Sequence, residues 1–140
     1  MSLGGEMIIF IDDEPEFISP YTDAFRFSGF EVKIIDDVDT AWNLIEKNTD
    51  EVDIVILDIM MPPGRLFDSH DTKEGLRTGL QFLELMKNLD ERIPVVCLTN
   101  ADTRSFPKIS HSNHFIYEKK DIDPWKLVDK MSDIKRRKKI

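Results

Sequence analysis

The chain has 140 residues, of which 41% are hydrophobic and 33% are charged, and its formal net charge at pH 7 is −8. This size suits one domain that buries a core without disulfides or a structural metal, and the acidic balance disfavours nucleic acid as a partner. No apolar stretch approaches the ~20 residues that span a bilayer, and the N-terminus lacks the pattern of a secretory signal, so we expect a cytoplasmic protein.

Both ends of the chain differ in composition from its body. Residues 1–6 have the small-residue composition of a cloning leader, and Lys135 to Lys139 form a run of five basic residues. Without that run the chain carries 14 basic and 27 acidic residues, a formal charge of −13. We predict one domain over residues 7–135, followed by a basic tail or linker stub at 136–140.

Short apolar runs alternate along the chain with segments of helical spacing. The predicted strands are Met7 to Ile11, Glu31 to Ile35, Asp53 to Leu57, Pro94 to Leu98 and His114 to Tyr117. Strands that alternate with helices are typical of an α/β protein with a parallel sheet.

Helices are predicted in most of the connections between these strands. In the first, Phe17 and Tyr21 belong to one apolar face, Pro20 lies in or just before the first turn, and Gly29 ends the helix. The later helices are predicted at Thr40 to Lys47, at Gly79 to Leu89, and from Pro124 onward with Asp123 as the N-cap.

Two connections are irregular. The segment from Met60 to Arg77 is long for a loop between a strand and a helix, where two to six residues are usual. Between Thr99 and His114, Pro107 leaves room only for a short or distorted helix. Long loops of this kind are usually functional or disordered.

Side chains suited to phosphate chemistry follow four of the predicted strands. Asp12 and Asp13 follow the first predicted strand, and Asp58 follows the third. Thr99 follows the fourth strand, and Lys119 follows the fifth, after Glu118. The carboxyl ends of parallel strands lie along one edge of the sheet, where open α/β sheets bind ligands. We therefore expect three carboxylates, a hydroxyl and an ammonium in one pocket.

Three aspartates in one pocket need a cation or protons to offset their charge. At ~4 Å two like charges cost about 4 kcal/mol when the effective dielectric constant is about 20. Oxygen ligands without His or Cys favour Mg²⁺. With a metal present, Asp58 can attack phosphorus while Lys119 neutralises charge and Thr99 donates to a phosphoryl oxygen.

These residues resemble the motifs of a known family, the receiver domains of two-component response regulators. The run Ile11 to Pro15 is similar to the first acidic motif of that family, and Asp58 to Pro62 to its phosphoacceptor motif. Leu98-Thr99 and Glu118-Lys119 match the two remaining signatures, and the resemblance extends from Met7 to Ile134.

The resemblance implies a flavodoxin-like α/β fold with a five-stranded parallel sheet of order 2-1-3-4-5. It also implies a signalling protein that catalyses only its own phosphorylation and dephosphorylation, takes its phosphoryl group from a sensor histidine kinase or phosphotransfer protein, and regulates a downstream protein. The implied site comprises Asp12, Asp13, Asp58 and the backbone carbonyl of Met60 for Mg²⁺, Asp58 as phosphoacceptor, and Thr99 and Lys119 as contacts of the phosphoryl group.

The last motif can be aligned in two registers, because Lys120 stands where the family has a proline. A shifted register makes Lys120 the pocket lysine and places Tyr117 at the family's aromatic switch position. We prefer Lys119, since the shift puts Glu118 where the family has a buried apolar residue. That choice places Ile116 at the switch position.

The loop after Asp58 also departs from the family, because it is about a dozen residues longer than usual. Its charged residues suggest that it selects the kinase or slows loss of the phosphoryl group. These residues are Arg65, Asp68, Asp71, Lys73, Glu74 and Arg77.

Two other functions are compatible with parts of this pattern. A degenerate receiver would bind partners without being phosphorylated. A metal-dependent phosphatase with an aspartyl nucleophile usually has a second aspartate two residues later as general acid, and Met60 occupies that position.

Overall fold

A computed structural model describes residues 7–67, 73, 75, 77–90, 92–100 and 115–138. The strands are β1 (Met7–Ile11), β2 (Glu31–Ile35), β3 (Val52–Leu57), β4 (Val95–Thr99) and β5 (Phe115–Lys119). The helices are α1 (Ser19–Phe27), which follows a 3₁₀ helix at Pro15–Ile18, α2 (Val38–Lys47), α3 (Thr78–Leu89) and α4 (Pro124–Lys138). The short helix expected between Thr99 and His114 falls outside the described residues.

All five strands form one parallel sheet of order β2-β1-β3-β4-β5, which confirms the predicted flavodoxin-like topology. The chain passes from β1 outward to β2 and then returns to add β3 on the other side of β1. Connections therefore diverge above the carboxyl ends of β1 and β3, which leaves a crevice at that point. The first two acidic motifs lie at the edges of this crevice.

Helices cover both faces of the sheet. Side chains such as Ile9, Ile11 and Val55 pack against α2 and α3, whereas Ile8 and Phe10 pack against α1 and α4. Because neighbouring residues of a strand point to opposite faces and both faces are covered, β1 is apolar throughout, and so is β3 after Asp53. Each fully buried side chain of this size contributes about 1.5–3 kcal/mol relative to an exposed one.

The ends of α1 and α4 carry the proline, glycine and N-cap residues that the sequence predicted there. Pro20 lies in the first turn of α1, and Gly29 follows that helix with a φ of 97°. Asp123 caps α4, because its carboxylate accepts the N–H of Trp125 at 2.8 Å. Phe17 was wrongly assigned to the apolar face of α1: it lies in the preceding 3₁₀ helix, whose different pitch leaves its side chain 64% exposed.

The described part of the long loop folds back on the domain. At its base the N–H of Met61 donates to the carbonyl oxygen of Gly75 at 3.0 Å. Further along, both oxygens of the Asp39 carboxylate on α2 accept backbone N–H groups, one from Arg65 and one from Leu66, each at 2.8 Å. The first half of the loop is therefore attached to α2.

Among the helices that the structure describes, none combines the length and the apolar composition that crossing a bilayer requires.

Candidate functional site

The site begins with Asp12 and Asp58, which follow the adjacent strands β1 and β3. The N–H of Asp58 donates to the carbonyl oxygen of Ile11 at 3.1 Å, so the hydrogen bonding between these strands continues to the edge of the sheet. Asp12 is 3% exposed and Asp58 is 8% exposed. Two buried carboxylates are thus fixed side by side by the sheet itself.

Backbone N–H groups orient these two carboxylates. Asp12 accepts a hydrogen bond from the N–H of Glu14 at 2.8 Å, and Asp58 accepts one from the N–H of Met60 at 3.1 Å. In both cases the acceptor is the Oδ1 atom, and the donor lies two residues later in the chain. The Oδ2 atoms are therefore left to contact other groups.

Asp13 completes a group of three carboxylates. One oxygen from each of Asp12, Asp13 and Asp58 lies within 4.8 Å of the other two. Asp13 is exposed, so the group opens to solvent on one side. Within the described part of the chain, no other set of acidic, His or Cys side chains has this geometry.

The pocket lysine is Lys120, and the preference for Lys119 is wrong. The Nζ atom of Lys120 lies 2.8 Å from Oδ2 of Asp58 and 3.0 Å from Oδ2 of Asp12. Lys119 is the last residue of β5, opposite Thr99, and is exposed. The strand ends there, and the turn that follows brings the side chain of Lys120, not that of Lys119, to the two aspartates.

Glu118 shows why the preferred register failed. The shifted register, which we did not prefer, puts Glu118 where the family has a buried apolar residue, and its side chain is indeed only 15% exposed. Its carboxylate, however, pairs with the ammonium of Lys130 on α4, whose side chain is 51% exposed. An acidic side chain is tolerated at this position because an ion pair at the protein surface offsets its charge.

With Lys120 in the pocket, the shifted register applies, in which Tyr117 aligns with the position of the aromatic switch in the family that the sequence resembles. Tyr117 packs among the residues that face α2 and α3, whereas Ile116 packs among those that face α1 and α4. Burial, followed by the neighbouring Cys97, raises the pKa of Tyr117 to about 12. The phenol is therefore neutral at physiological pH and can donate a hydrogen bond.

Burial also shifts the protonation of the carboxylates. It is the largest cause that raises the pKa values of Asp12 and Asp13 above their usual range. Burial alone would lower the pKa of Lys120, but its hydrogen bonds and ion pairs with Asp58 and Asp12 raise it on balance. The lysine is therefore charged at neutral pH.

The formal charges of the site match one divalent cation. Three carboxylates and one ammonium leave two uncompensated negative charges when all four groups are ionised. The donors are hard oxygen atoms without partner His or Cys, which suits Mg²⁺. The residues present therefore fit a magnesium ion.

Thr99 and Met60 lie at the same edge of the sheet. Thr99 is buried at the end of β4, and its carbonyl oxygen accepts the N–H of Lys120 at 3.2 Å. Met60 follows the phosphoacceptor candidate by two residues, and its side chain is 44% exposed. Both residues lie where the motifs predicted them, although their roles toward a phosphoryl group remain predictions.

The start of α3 supports the backbone of the site, a role that the sequence did not reveal. The N–H of Gly79 donates to the carbonyl oxygen of Ile59 at 2.8 Å, and the hydroxyl of Thr78 donates to the carbonyl oxygen of Met61. A Cβ atom at Gly79 would lie 2.6 Å from the carbonyl oxygen of Asp58. Only glycine permits this contact, and a glycine at a helix start gives no sequence signal for it.

Comparison with known proteins gives one family. The family model described as "Response regulator receiver domain" matches residues 8–132. Among curated proteins, none is close enough in sequence to count as a relative.

Several solved structures share the fold over nearly the whole chain. A response regulator receiver protein from Sinorhizobium medicae has a TM-score of 0.76 and 18% identity, and the match covers 98% of this chain and 99% of that one. A CheY-like receiver domain protein from Methanospirillum hungatei has a TM-score of 0.75 and 18% identity, covering 96% of each chain. The response regulator TrrA from Thermotoga maritima, in complex with Mg²⁺ and BeF, has a TM-score of 0.68 and 20% identity, covering 92% of this chain and 98% of that one.

Proposed function

The chain belongs to the response regulator receiver domain family, and we propose on this basis that it is a signalling phosphoacceptor in which a sensor histidine kinase or a phosphotransfer protein phosphorylates Asp58 in a Mg²⁺-dependent reaction. One observation carries the proposal: an oxygen of Asp58 lies within 4.8 Å of oxygens from both Asp12 and Asp13, beside the ammonium of Lys120. A domain over residues 7–135 in the cytoplasm remains our prediction.

Asp12, Asp13 and Asp58 are the proposed protein ligands of Mg²⁺, together with the backbone carbonyl of Met60. The complex of TrrA with Mg²⁺ and BeF supports the choice of metal, since that protein shares the fold. When bound, the ion neutralises negative charge on the site and on the phosphoryl oxygens. Without the ion, the negative charge of the three carboxylates would oppose the approach of an anionic phosphodonor.

Asp58 is the proposed nucleophile. One of its carboxylate oxygens forms a bond to phosphorus, while the bond from phosphorus to the donor's leaving group breaks and the leaving group keeps the electron pair. The product is an aspartyl phosphate. Its negative charge lies beside Lys120, which exchanges its ion pair with Asp58 for one with the phosphoryl oxygens. The hydroxyl of Thr99 donates to another of those oxygens.

The proposed signal is the charge that phosphorylation adds, about −1.5 to −2 at pH 7. Lys120 and Thr99 would move toward this charge, and both lie next to β5. Tyr117 on β5 is the proposed aromatic residue that changes its packing in response. A change at this edge of the sheet would alter the surface presented to a downstream protein.

Incubation with a small phosphodonor and Mg²⁺, followed by intact mass measurement, tests the proposal. We expect the wild-type chain to gain the mass of one phosphoryl group, and Asp58→Asn or wild type with excess chelator to gain none. An unchanged wild-type mass would instead favour a degenerate receiver that acts by protein contact alone.

A metal-dependent phosphatase is the weaker alternative. That mechanism needs a general acid two residues after the nucleophile, and the residue at that position is Met60, whose thioether cannot donate a proton. Steady hydrolysis of a generic phosphate ester by wild type, but not by Asp58→Asn, would reverse this ranking.

We propose that the long loop at 60–77 selects the kinase or slows loss of the phosphoryl group. Its described part is attached to α2 through Asp39, and its base adjoins the site at Met61. Of its charged residues, Asp68, Asp71 and Glu74 fall outside the described residues. Shortening the loop should change the rates of phosphoryl transfer or loss without changing the thermal stability of the domain. If these rates also stay the same, the loop has neither role.

A further inference from the structure

The side chain of Tyr21 attaches the turn that carries Lys120 to α1. Tyr21 is 6% exposed, and its ring lies in the core between α1 and α4. Its hydroxyl oxygen is 2.7 Å from the carbonyl oxygen of Ile122 and also contacts the carbonyl oxygen of Lys120. Both acceptors belong to the turn between β5 and α4.

The hydroxyl of Tyr21 acts as the donor in these contacts. Backbone carbonyls only accept, so the single phenolic hydrogen is shared between the two carbonyl oxygens. Burial, followed by the charges of Asp121 and Asp123, raises the pKa of Tyr21. The phenol therefore keeps its hydrogen at neutral pH.

Two backbone hydrogen bonds hold the same turn to the neighbouring strands through its N–H groups. The N–H of Lys120 donates to the carbonyl oxygen of Thr99 at 3.2 Å, and that of Ile122 donates to the carbonyl oxygen of Lys119 at 3.1 Å. Both of those acceptors lie at the ends of β4 and β5. Tyr21 thus adds a restraint from a different element, at the carbonyl groups of the same two residues.

We propose that Tyr21 is a positioning residue for Lys120, and this inference rests on the proposed function of Lys120 at the phosphoryl group. A lysine ammonium ends a flexible four-carbon chain. It reaches Asp12 and Asp58 together only when its backbone is fixed, because catalytic geometry is sensitive to displacements of about 1 Å. Tyr21 fixes that backbone without touching the reacting atoms.

The substitution Tyr21→Phe removes only the hydroxyl and keeps the buried ring. We expect the maximal rate of phosphorylation by a small phosphodonor to fall about tenfold. The Mg²⁺ concentration for half-maximal rate should stay within about twofold of the wild-type value, because the three carboxylates are unchanged. A general loss of stability would not lower the maximal rate while leaving the Mg²⁺ dependence unchanged.

A matched control comes from the same helix. Thr22 is buried, and its hydroxyl donates to the carbonyl oxygen of Ser19, one turn back in the chain. Thr22→Val removes a buried hydroxyl of α1 whose hydrogen bond, among the described residues, stays within that helix. We expect this variant to be phosphorylated at the wild-type rate.

The double variant Tyr21→Phe/Lys120→Ala gives a readout that a structural role would not produce. If Tyr21 acts through Lys120, Tyr21→Phe should slow phosphorylation no further once Lys120 is absent. An equal slowing in both backgrounds would overturn the inference. So would a wild-type rate in Tyr21→Phe when Lys120→Ala alone is slow.

Hydrogen exchange of backbone amides distinguishes failure of this inference from failure of the proposed function. We expect the amides of Lys120 and Ile122 to exchange about tenfold faster in Tyr21→Phe than in wild type or Thr22→Val. Unchanged exchange would overturn the structural half of the inference, whatever the chain's phosphorylation. A wild type that takes no phosphoryl group would overturn the catalytic half together with the proposed function.

Discussion

The ammonium of Lys120 lies 2.8 Å from a carboxylate oxygen of Asp58, at the point where β3 ends. It also lies 3.0 Å from a carboxylate oxygen of Asp12, so one positive charge joins the two buried carboxylates of the site. The exposed Lys119, one residue earlier, makes neither contact. These adjacent lysines give a direct comparison between a pocket lysine and a surface lysine.

Lys120→Ala should slow phosphorylation of Asp58 by a small phosphodonor by a factor on the order of 10², because the transferring group loses its nearest positive charge. Lys119→Ala is the control and should stay within about twofold of wild type. The measurement is the initial rate of phosphorylation followed by intact mass. Equal effects of the two substitutions would contradict the assignment of the pocket lysine.

Asp13→Asn should abolish most of the thermal stabilisation that Mg²⁺ gives the wild type, because it removes a proposed ligand. In the absence of metal, the same substitution should raise the stability at pH 7. The pKa of Asp13 is raised in the folded chain from 3.8, so the folded state binds a proton more tightly than the unfolded state does. The free energy of unfolding therefore falls as the pH rises above 3.8 and the aspartate ionises. Asparagine, which does not ionise, removes that loss.

Melting temperatures at pH 3 and pH 7, with Mg²⁺ and with chelator, test these two statements. The metal-free advantage of Asp13→Asn should be present at pH 7 and absent at pH 3, where both the folded and the unfolded aspartate are largely protonated. Equal Mg²⁺ stabilisation of wild type and variant would contradict the proposed metal site.

Gly79→Ala should destabilise the domain by about 1–3 kcal/mol or more, since the added methyl group meets backbone atoms that cannot easily move. The Cβ atom would lie 2.4 Å from the Cα atom of Ile59. Gly29→Ala is the control: its φ of 97° strains a side chain, but the space around it is open, so its cost should be about 1 kcal/mol. Urea unfolding measures both. A smaller effect at Gly79 than at Gly29 would contradict the close contact.

Alkaline pH should destabilise the wild type through Tyr117. Its pKa is raised to about 12 from the usual 10.0, so the unfolded state loses its phenolic proton first. Stability should therefore fall as pH rises from 10 toward 12, and Tyr117→Phe should show a shallower fall. Urea unfolding at pH 9 and pH 11 provides the measurement. An equal loss of unfolding free energy between pH 9 and pH 11 in wild type and Tyr117→Phe would contradict the buried environment of Tyr117.

Asp39→Ala should release the first half of the long loop, because Asp39 accepts the backbone N–H groups of Arg65 and Leu66. We expect limited proteolysis at 62–67 to become about tenfold faster, with little change in the melting temperature. Asp23→Ala removes an exposed carboxylate from α1 and is the control. Proteolysis at the wild-type rate in Asp39→Ala would show that other contacts hold the loop.

Most of the strands and the acidic residues of the site could be predicted from local sequence, whereas the order of the strands came from the resemblance to receiver domains. β1 and β2 have the predicted bounds, and β3 begins one residue before its prediction, because apolar runs between turn residues mark buried strands. Once β1 and β3 are neighbours, Asp12, Asp13 and Asp58 must follow them at one edge. Topology alone therefore brings the carboxylates together.

The pocket lysine could not be chosen in the same way, because two lysines follow one another at the end of β5. Which of them reaches the site depends on the residue at which the strand ends and on the turn beyond it. The ion pair between Glu118 and Lys130 joins β5 to α4, so no local pattern reveals it. The prediction that Phe17 lies on the apolar face of α1 failed for a related reason, since helical spacing cannot show where a 3₁₀ helix replaces an α-helix.

Locating the phosphorylated residue tests the proposed phosphoacceptor most directly. Wild-type chain is incubated with a phosphodonor and Mg²⁺, reduced with borohydride, which converts an aspartyl phosphate to homoserine, and sequenced by tandem mass spectrometry. We predict homoserine at position 58, and none when a chelator replaces Mg²⁺. Homoserine at another aspartate, or an unmodified Asp58 in the presence of Mg²⁺, would contradict it.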